Sequence, residues 1–142
     1  MTRRDLSLLL PALAAASAAQ AQTAAAKLPS TTLEHESLPV KTNGQNKSRA
    51  MLNGLTHTGY DIEMHETELA PGLMPHAAHK HAHEEMILIR EGTLEVTIEG
   101  KTIRLGPGSV GYVASDEMHG WKNVGDTRAS YFVIALGRTQ KA

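Results

Sequence analysis

The chain has 142 residues, a formal net charge of −1, a pI near 6.7, no cysteine and eight histidines. This length suits one domain with a core of its own, and the balanced charge, with no Lys/Arg stripe, excludes an electrostatic hold on nucleic acid. Without cysteine there are no disulfides, thiolate metal sites or thiol nucleophiles.

The first segment reads as an export signal over residues 1–21. Arg3-Arg4-Asp5 precedes an apolar stretch from Leu6 to Ala19, and Ala19-Gln20-Ala21 supplies a small-x-small cleavage site; this order is that of a bacterial signal peptide. The stretch is too short for a comfortable membrane span and Pro11 interrupts it, so no stable span is expected after cleavage. The paired arginines resemble a twin-arginine signal in part, because Leu6-Ser7-Leu8 stands where an aromatic and Leu-Lys are usual. Both the twin-arginine and the Sec route stay open, and either leads to the periplasm.

Residues 22–48 are expected to form a flexible leader followed by an extended segment, with a polar turn or loop over Lys41–Ser48 around Asn43-Gly44. From Arg49 onward, residues 49–138, the pattern is that of a barrel. Apolar residues show no sustained helical spacing, and short alternating runs are separated by turn residues. Asp61–Leu69 alternates through Ile62, Met64 and Leu69; Leu94, Val96 and Ile98 alternate with polar neighbours; Ile103 and Leu105 continue after a Glu99-Gly100-Lys101 hairpin. Gly106-Pro107-Gly108 is a further turn before a strand over Ser109–Ala114. Met86–Ile89 and Tyr131–Leu136 are apolar on both faces, which predicts strands covered on both sides. About eight strands, short turns and no long helix define an all-β sandwich or barrel, and no internal repeat suggests a second one.

Chemistry concentrates in one place. His76, His79, His81 and His83 fall within eight residues. His79 and His81 are two apart on an extended segment, so their side chains share a face. Glu85 follows at an even offset, and His119 lies where a closed barrel could bring it across from the pair. Imidazoles with a carboxylate suit Fe, Mn, Ni, Cu or Zn, and four ligands on an octahedral ion leave two positions open.

These residues carry a resemblance. His79-Lys80-His81-Ala82-His83-Glu84-Glu85, with six residues then separating Glu85 from Gly92, resembles the first cupin motif, its leading glycine being Gly72. Pro107-Gly108, His119 and Asn123 resemble the second; Val113 departs near a position where many members carry proline. The resemblance spans about Glu63 to Leu136. It implies a single cupin jelly-roll β-barrel (double-stranded β-helix) of the type-2 kind. It also implies one divalent transition metal ion held by His79, His81, Glu85 and His119, Fe or Mn being favoured over Zn, Ni or Cu, and often a homodimer.

Outside that set, His83 is the candidate acid–base residue because it sits in the bend between ligands, and His76 is read first as a loop residue at the barrel mouth. His35, His57 and His65 are read as structural or exposed. Trp121 and Asn123 share the strand parity of His119 and are expected to face inward. Tyr112, Met64, Met86 and Met118 are expected to pack. Two functional expectations follow: a metalloenzyme, an oxidoreductase of dioxygenase type or an isomerase, acting on a small oxygen-rich chelating molecule, or a non-catalytic cupin that binds a small ligand or the metal itself.

Overall fold

The computed structural model describes residues 26–138; the expected export signal lies outside the described residues. A 3-10 turn at His35–Ser37 precedes nine strands among the described residues: β1 (Lys41–Asn43), β2 (Asn46–Leu55), β3 (Tyr60–Leu69), β4 (Glu84–Glu91), β5 (Leu94–Ile98), β6 (Lys101–Leu105), β7 (Val110–Val113), β8 (His119–Asn123) and β9 (Ala129–Arg138). They form a six-stranded sheet, β1-β2-β3-β9-β4-β7, facing a three-stranded sheet, β6-β5-β8. Every pairing between these strands is antiparallel. This is the all-β architecture expected from the alternating pattern, and it is consistent with the jelly-roll that the resemblance implies. No helix among the described residues is long and apolar enough to cross a membrane.

The turn or loop expected over Lys41–Ser48 is a tight hairpin turning at Gly44, φ 59°, with Asn43 paired to Asn46. Its residues carry little apolar signal because β1 is a fully exposed edge strand, so periodicity had nothing to register. Part of the leader is also placed: Leu28 N–H donates to Leu55 O at 2.8 Å. The Glu99-Gly100 turn joins β5 to β6 with both residues at positive φ, 46° and 76°, the two-residue geometry whose twist matches that of the flanking strands.

The register lays out the interior in rows. Thr67, Tyr131 and Ile89 stand side by side across β3, β9 and β4; His65, Val133 and Ile87 form the next row; Glu63, Ala135 and Glu85 the one after. The inner face of the large sheet therefore passes from apolar to polar along the barrel. At the apolar end Leu69, Ile87, Ile89, Leu94, Val96, Trp121, Ala129, Tyr131 and Val133 pack into one core, each large aliphatic member contributing roughly 1.5–3 kcal/mol by leaving water. Gly92 belongs to that packing. It sits at φ 77°, and a Cβ there would lie 2.6 Å from the Cα of Ala129, so the chain approaches itself where only glycine fits.

Two packing expectations are corrected. Tyr112 is 53% exposed, its hydroxyl donating to Glu84, and Met118 is exposed as well; alternation places a side chain on a face but not under a cover. Ile103 projects to solvent for the same reason, since β6 ends the small sheet. Leu88 on β4 and Val110 on β7 are likewise exposed.

Candidate metal centre and its cavity

The histidine-rich segment has no long strand of its own and is held in place by its neighbours. His79 forms an isolated antiparallel bridge with His119 at the start of β8. Asp116 N–H donates to His81 O at 2.8 Å, and Ser115 Oγ–H donates to Ala82 O at 2.6 Å, so the turn between β7 and β8 clamps the bend. β8 approaches closely: a Cβ on Gly120 would meet Ala78 at 3.2 Å. Glu85 is the second residue of β4, with its side chain on the inner face, 7% exposed.

These supports bring the rings together. Ring centroids lie 5.0 Å apart for His79 and His81, and 4.8 Å apart for His119 with each of them. Glu85 Oε2 lies 2.7 Å from His81 Nε2 and 3.7 Å from His119 Nε2. Donor atoms of His79, His81 and His119, and separately those of His81, His83 and Glu85, are mutually close enough to hold one ion. Each ring is oriented from behind. His81 Nδ1–H donates to His83 O at 2.9 Å, His119 Nδ1–H to Glu117 O at 2.9 Å, and His79 Nδ1–H to Ala77 O at 3.3 Å. For His79 and His119 such bonds fix the tautomer and turn Nε2 forward as a lone-pair donor, whereas His81 Nε2 lies within hydrogen-bond distance of the Glu85 carboxylate. His119 Nε2 is buried with no hydrogen-bond partner, a position tolerated poorly unless something else satisfies it.

These observations test the fit of a metal ion. Two donors at about 2.1 Å from one ion and at right angles are about 3.0 Å apart; the separations around Glu85 Oε2 bracket that value. The residues present fit a divalent transition metal. Burial, followed by the charge of the neighbouring histidines, holds the pKa of His79 below the ordinary range despite the bond to Ala77. Burial and then the charge of His81 do the same for His83. Neutral imidazole is the ligating form.

Of the expected ligands, His79, His81 and His119 form one group, and Glu85 meets His81 in a second group that also contains His83. Its ring stacks on His81 with centroids 3.6 Å apart and 8° between planes, and its Nε2 lies 3.9 Å from Glu85 Oε2. His83 thus stands beside the cluster, and its side chain remains 42% exposed. His76 packs edge-on against His79 at 4.3 Å.

A cavity of about 840 Å³ opens onto this cluster. Its floor is aromatic. Trp121 stacks on His119 with centroids 5.6 Å apart and donates its Nε1–H to Tyr131 OH at 2.8 Å; burial pushes the Tyr131 phenol far up, so it stays neutral. Asn123 faces inward as expected but is consumed structurally, bonding Leu69 O, Thr127 O and Gly125 N–H. The segment Pro39, Val40 and Lys41, read from sequence as the end of an extended segment and the start of a turn or loop, supplies part of the cavity wall. So do Glu63, which the sequence reading did not single out, and His65, which it read as structural or exposed. Their i, i+2 spacing on an alternating strand was the signal available, since it places both on one face. By contrast His35 and His57 have structural partners, Glu66 and Leu28 O respectively.

Residues 65–135 match the family described as Cupin domain. No curated protein matches significantly. Among solved structures, KdgF from Halomonas sp. superposes with a TM-score of 0.66 at 16% identity, covering 79% of this chain and 97% of that one. An RmlC-like cupin from Shewanella frigidimarina gives 0.64 at 17%, covering 79% and 95%. A predicted oxalate decarboxylase from Thermotoga maritima gives 0.63 at 18%, covering 75% and 99%. At these identities the likeness concerns the fold.

Proposed function

The chain belongs to the Cupin domain family, and from that premise we propose that its cavity is a mononuclear metal centre acting on a small, oxygen-rich chelating molecule. The observation that carries this reading is the forward-facing set of Nε2 atoms, each locked from behind by a backbone carbonyl, with that of His119 buried and unpartnered. His79, His81, Glu85 and His119 would hold the ion, Fe or Mn by preference. When bound it would supply Lewis acidity or dioxygen activation. The chain's own groups do the rest: the carbonyls behind the rings hold the donors in register, Trp121 and Tyr131 close the floor against water, and His83 stands beside Glu85 within reach of a proton on a bound molecule.

Of the reactions open to such a site, a metal-dependent oxidoreductase of dioxygenase type is the one proposed. The second reading is a binding protein without turnover, favoured by the 42% exposure of the His83 side chain, which leaves its proton exchange open to solvent. Elemental analysis of untagged protein beside a His79→Ala, His81→Ala double variant tests the metal centre. Near-stoichiometric Fe or Mn that is lost in the variant supports it; equal or negligible metal in both sinks it.

Two further parts of the reading concern context. The export signal over residues 1–21 directs the protein to the periplasm; by the twin-arginine route the barrel would take its metal before crossing, which would allow Fe or Mn to occupy donors that otherwise prefer Cu or Zn. Replacing Arg3 and Arg4 by Lys should then stop export, and continued export would remove the argument. A second copy of the chain would cover Leu88, Val110 and Tyr112 on the outer face of the large sheet, giving a homodimer.

A further inference from the structure

The cavity wall opposite the histidine cluster carries a second pair of chemical groups. His65 and Glu63 stand two apart on β3 with both side chains on the inner face. His65 Nδ1–H donates to both carboxylate oxygens of Glu63, at 2.9 Å each. The bond consumes the Nδ1 hydrogen and leaves Nε2 with its lone pair; among the described residues this nitrogen has no hydrogen-bond partner. A histidine whose Nδ1 is held by a carboxylate is oriented to take or give a proton at Nε2.

The sheet register places this pair relative to the cluster. Glu63 and Glu85 occupy the same row, separated only by Ala135 on β9. Two strand spacings put their backbones about 10 Å apart. The residues between, Ala135 and Val133, are small, so the space above them stays open and forms part of the cavity. A molecule of a few carbons fits that gap with one end at the cluster and the other at His65.

We propose that His65 and Glu63 form an acid–base pair working on a small hydroxy- or oxo-acid held at the histidine cluster, His65 as the catalytic residue and Glu63 as its positioning residue. The proposal rests on the metal-centre reading for the ligand's other end. In the step, an O–H or acidic C–H bond of the ligand breaks and an N–H bond forms at Nε2. The electron pair stays on the ligand oxygen or carbon, and the proton returns to the product. No oxidant or co-reactant is required.

The test is the reactivity of His65 toward diethyl pyrocarbonate, which acylates the lone-pair nitrogen of an imidazole, followed by peptide mass spectrometry on the full chain at saturating Zn²⁺. His65 is expected to react, and several-fold more slowly in Glu63→Ala and Glu63→Gln variants whose circular dichroism is native. Nitrogen-15 spectra of the wild-type ring should place the hydrogen on Nδ1. A ring hydrogen on Nε2 in the wild type, an inert His65, or unchanged rates in both variants would each overturn the pair; the ring spectrum needs no variant to fold. Zinc uptake measured on the same samples separates the two readings, because protein that fails to bind zinc defeats the metal centre while the rates still judge the pair.

Discussion

His79 and His119, forty residues apart in sequence, are joined by two backbone hydrogen bonds: His79 N–H donates to His119 O at 3.0 Å and His119 N–H to His79 O at 2.9 Å. The bridge fixes two of the cluster's imidazoles on adjoining chain segments before any ion is present. A preformed site of this kind loses little entropy on binding, so ligation should add to stability nearly in full. Removing metal with a chelator and restoring Mn²⁺ or Zn²⁺ at a hundred times the Kd should stabilise the fold by about 2.7 kcal/mol. Differential scanning calorimetry should record the rise in wild type and none in the His79→Ala, His81→Ala variant.

The chain's single tryptophan stacks on His119, which makes it a built-in reporter. Titration with a paramagnetic ion such as Cu²⁺ should quench Trp121 emission with a stoichiometry of one. His119→Ala should abolish the saturable phase. Tyr131→Phe should leave quenching intact but destabilise the fold by roughly 1–3 kcal/mol, because the buried indole N–H loses its acceptor. Quenching that persists unchanged without His119 would mean the ion sits elsewhere.

Glycine at positive φ is not equally constrained everywhere. Gly92→Ala brings a Cβ to 2.6 Å from Ala129 Cα, whereas at Gly100 nothing lies within 4 Å. Strain and overpacking together should cost about 3–5 kcal/mol at Gly92, against about 1–2 kcal/mol of backbone strain alone at Gly100. Urea denaturation of the two variants measures both, and comparable losses would contradict the close approach.

A charge cluster on the outer face should give stability a pH optimum. Glu66 is 1% exposed and meets Arg49, Arg90 and His35 at 3.1, 2.9 and 2.6 Å. Burial alone would raise its pKa, but hydrogen bonds from His35 and Arg90, with the charges of His35 and Arg49, hold it below the ordinary value of 4.5. His35 is held above its ordinary 6.5 by hydrogen bonds to Glu36 and Glu66, against desolvation. Glu66 therefore stabilises the fold above 4.5 and loses that contribution as pH falls through its folded value. His35 contributes fully below 6.5 and loses it as pH rises through its folded value. Both contributions are complete between those two values. Glu66→Gln should cost roughly 1–3 kcal/mol there, below the fully buried case because Arg90 and His35 reach solvent. Melting curves across pH should show the gap to wild type narrowing on both sides.

Val110 is 62% exposed and Leu88 42% exposed on the outer face of the large sheet. A Leu88→Lys, Val110→Lys variant should sediment as a monomer at micromolar concentration while the wild type sediments as a dimer, metal content being equal. A monomeric wild type would retire the second-copy reading.

Local chemistry in the sequence was enough for the alternating strands, the Glu99-Gly100 turn and the gathering of His79 and His81 on one face, because side-chain parity in a strand is set by the chain itself. The pairing of Glu63 with His65 obeys the same parity, yet its importance is invisible without the register that sets it across Ala135 from Glu85. Tyr112 was expected to pack and Ile103 to alternate inward, yet both are exposed, since the sequence alone determines a residue's face while only the packed neighbours decide whether that face is covered. The burial of His119 Nε2 and the seating of Gly92 against Ala129 belong to the same class: contacts between segments far apart in the chain, whose distances depend on how two sheets close around a core and not on any local preference.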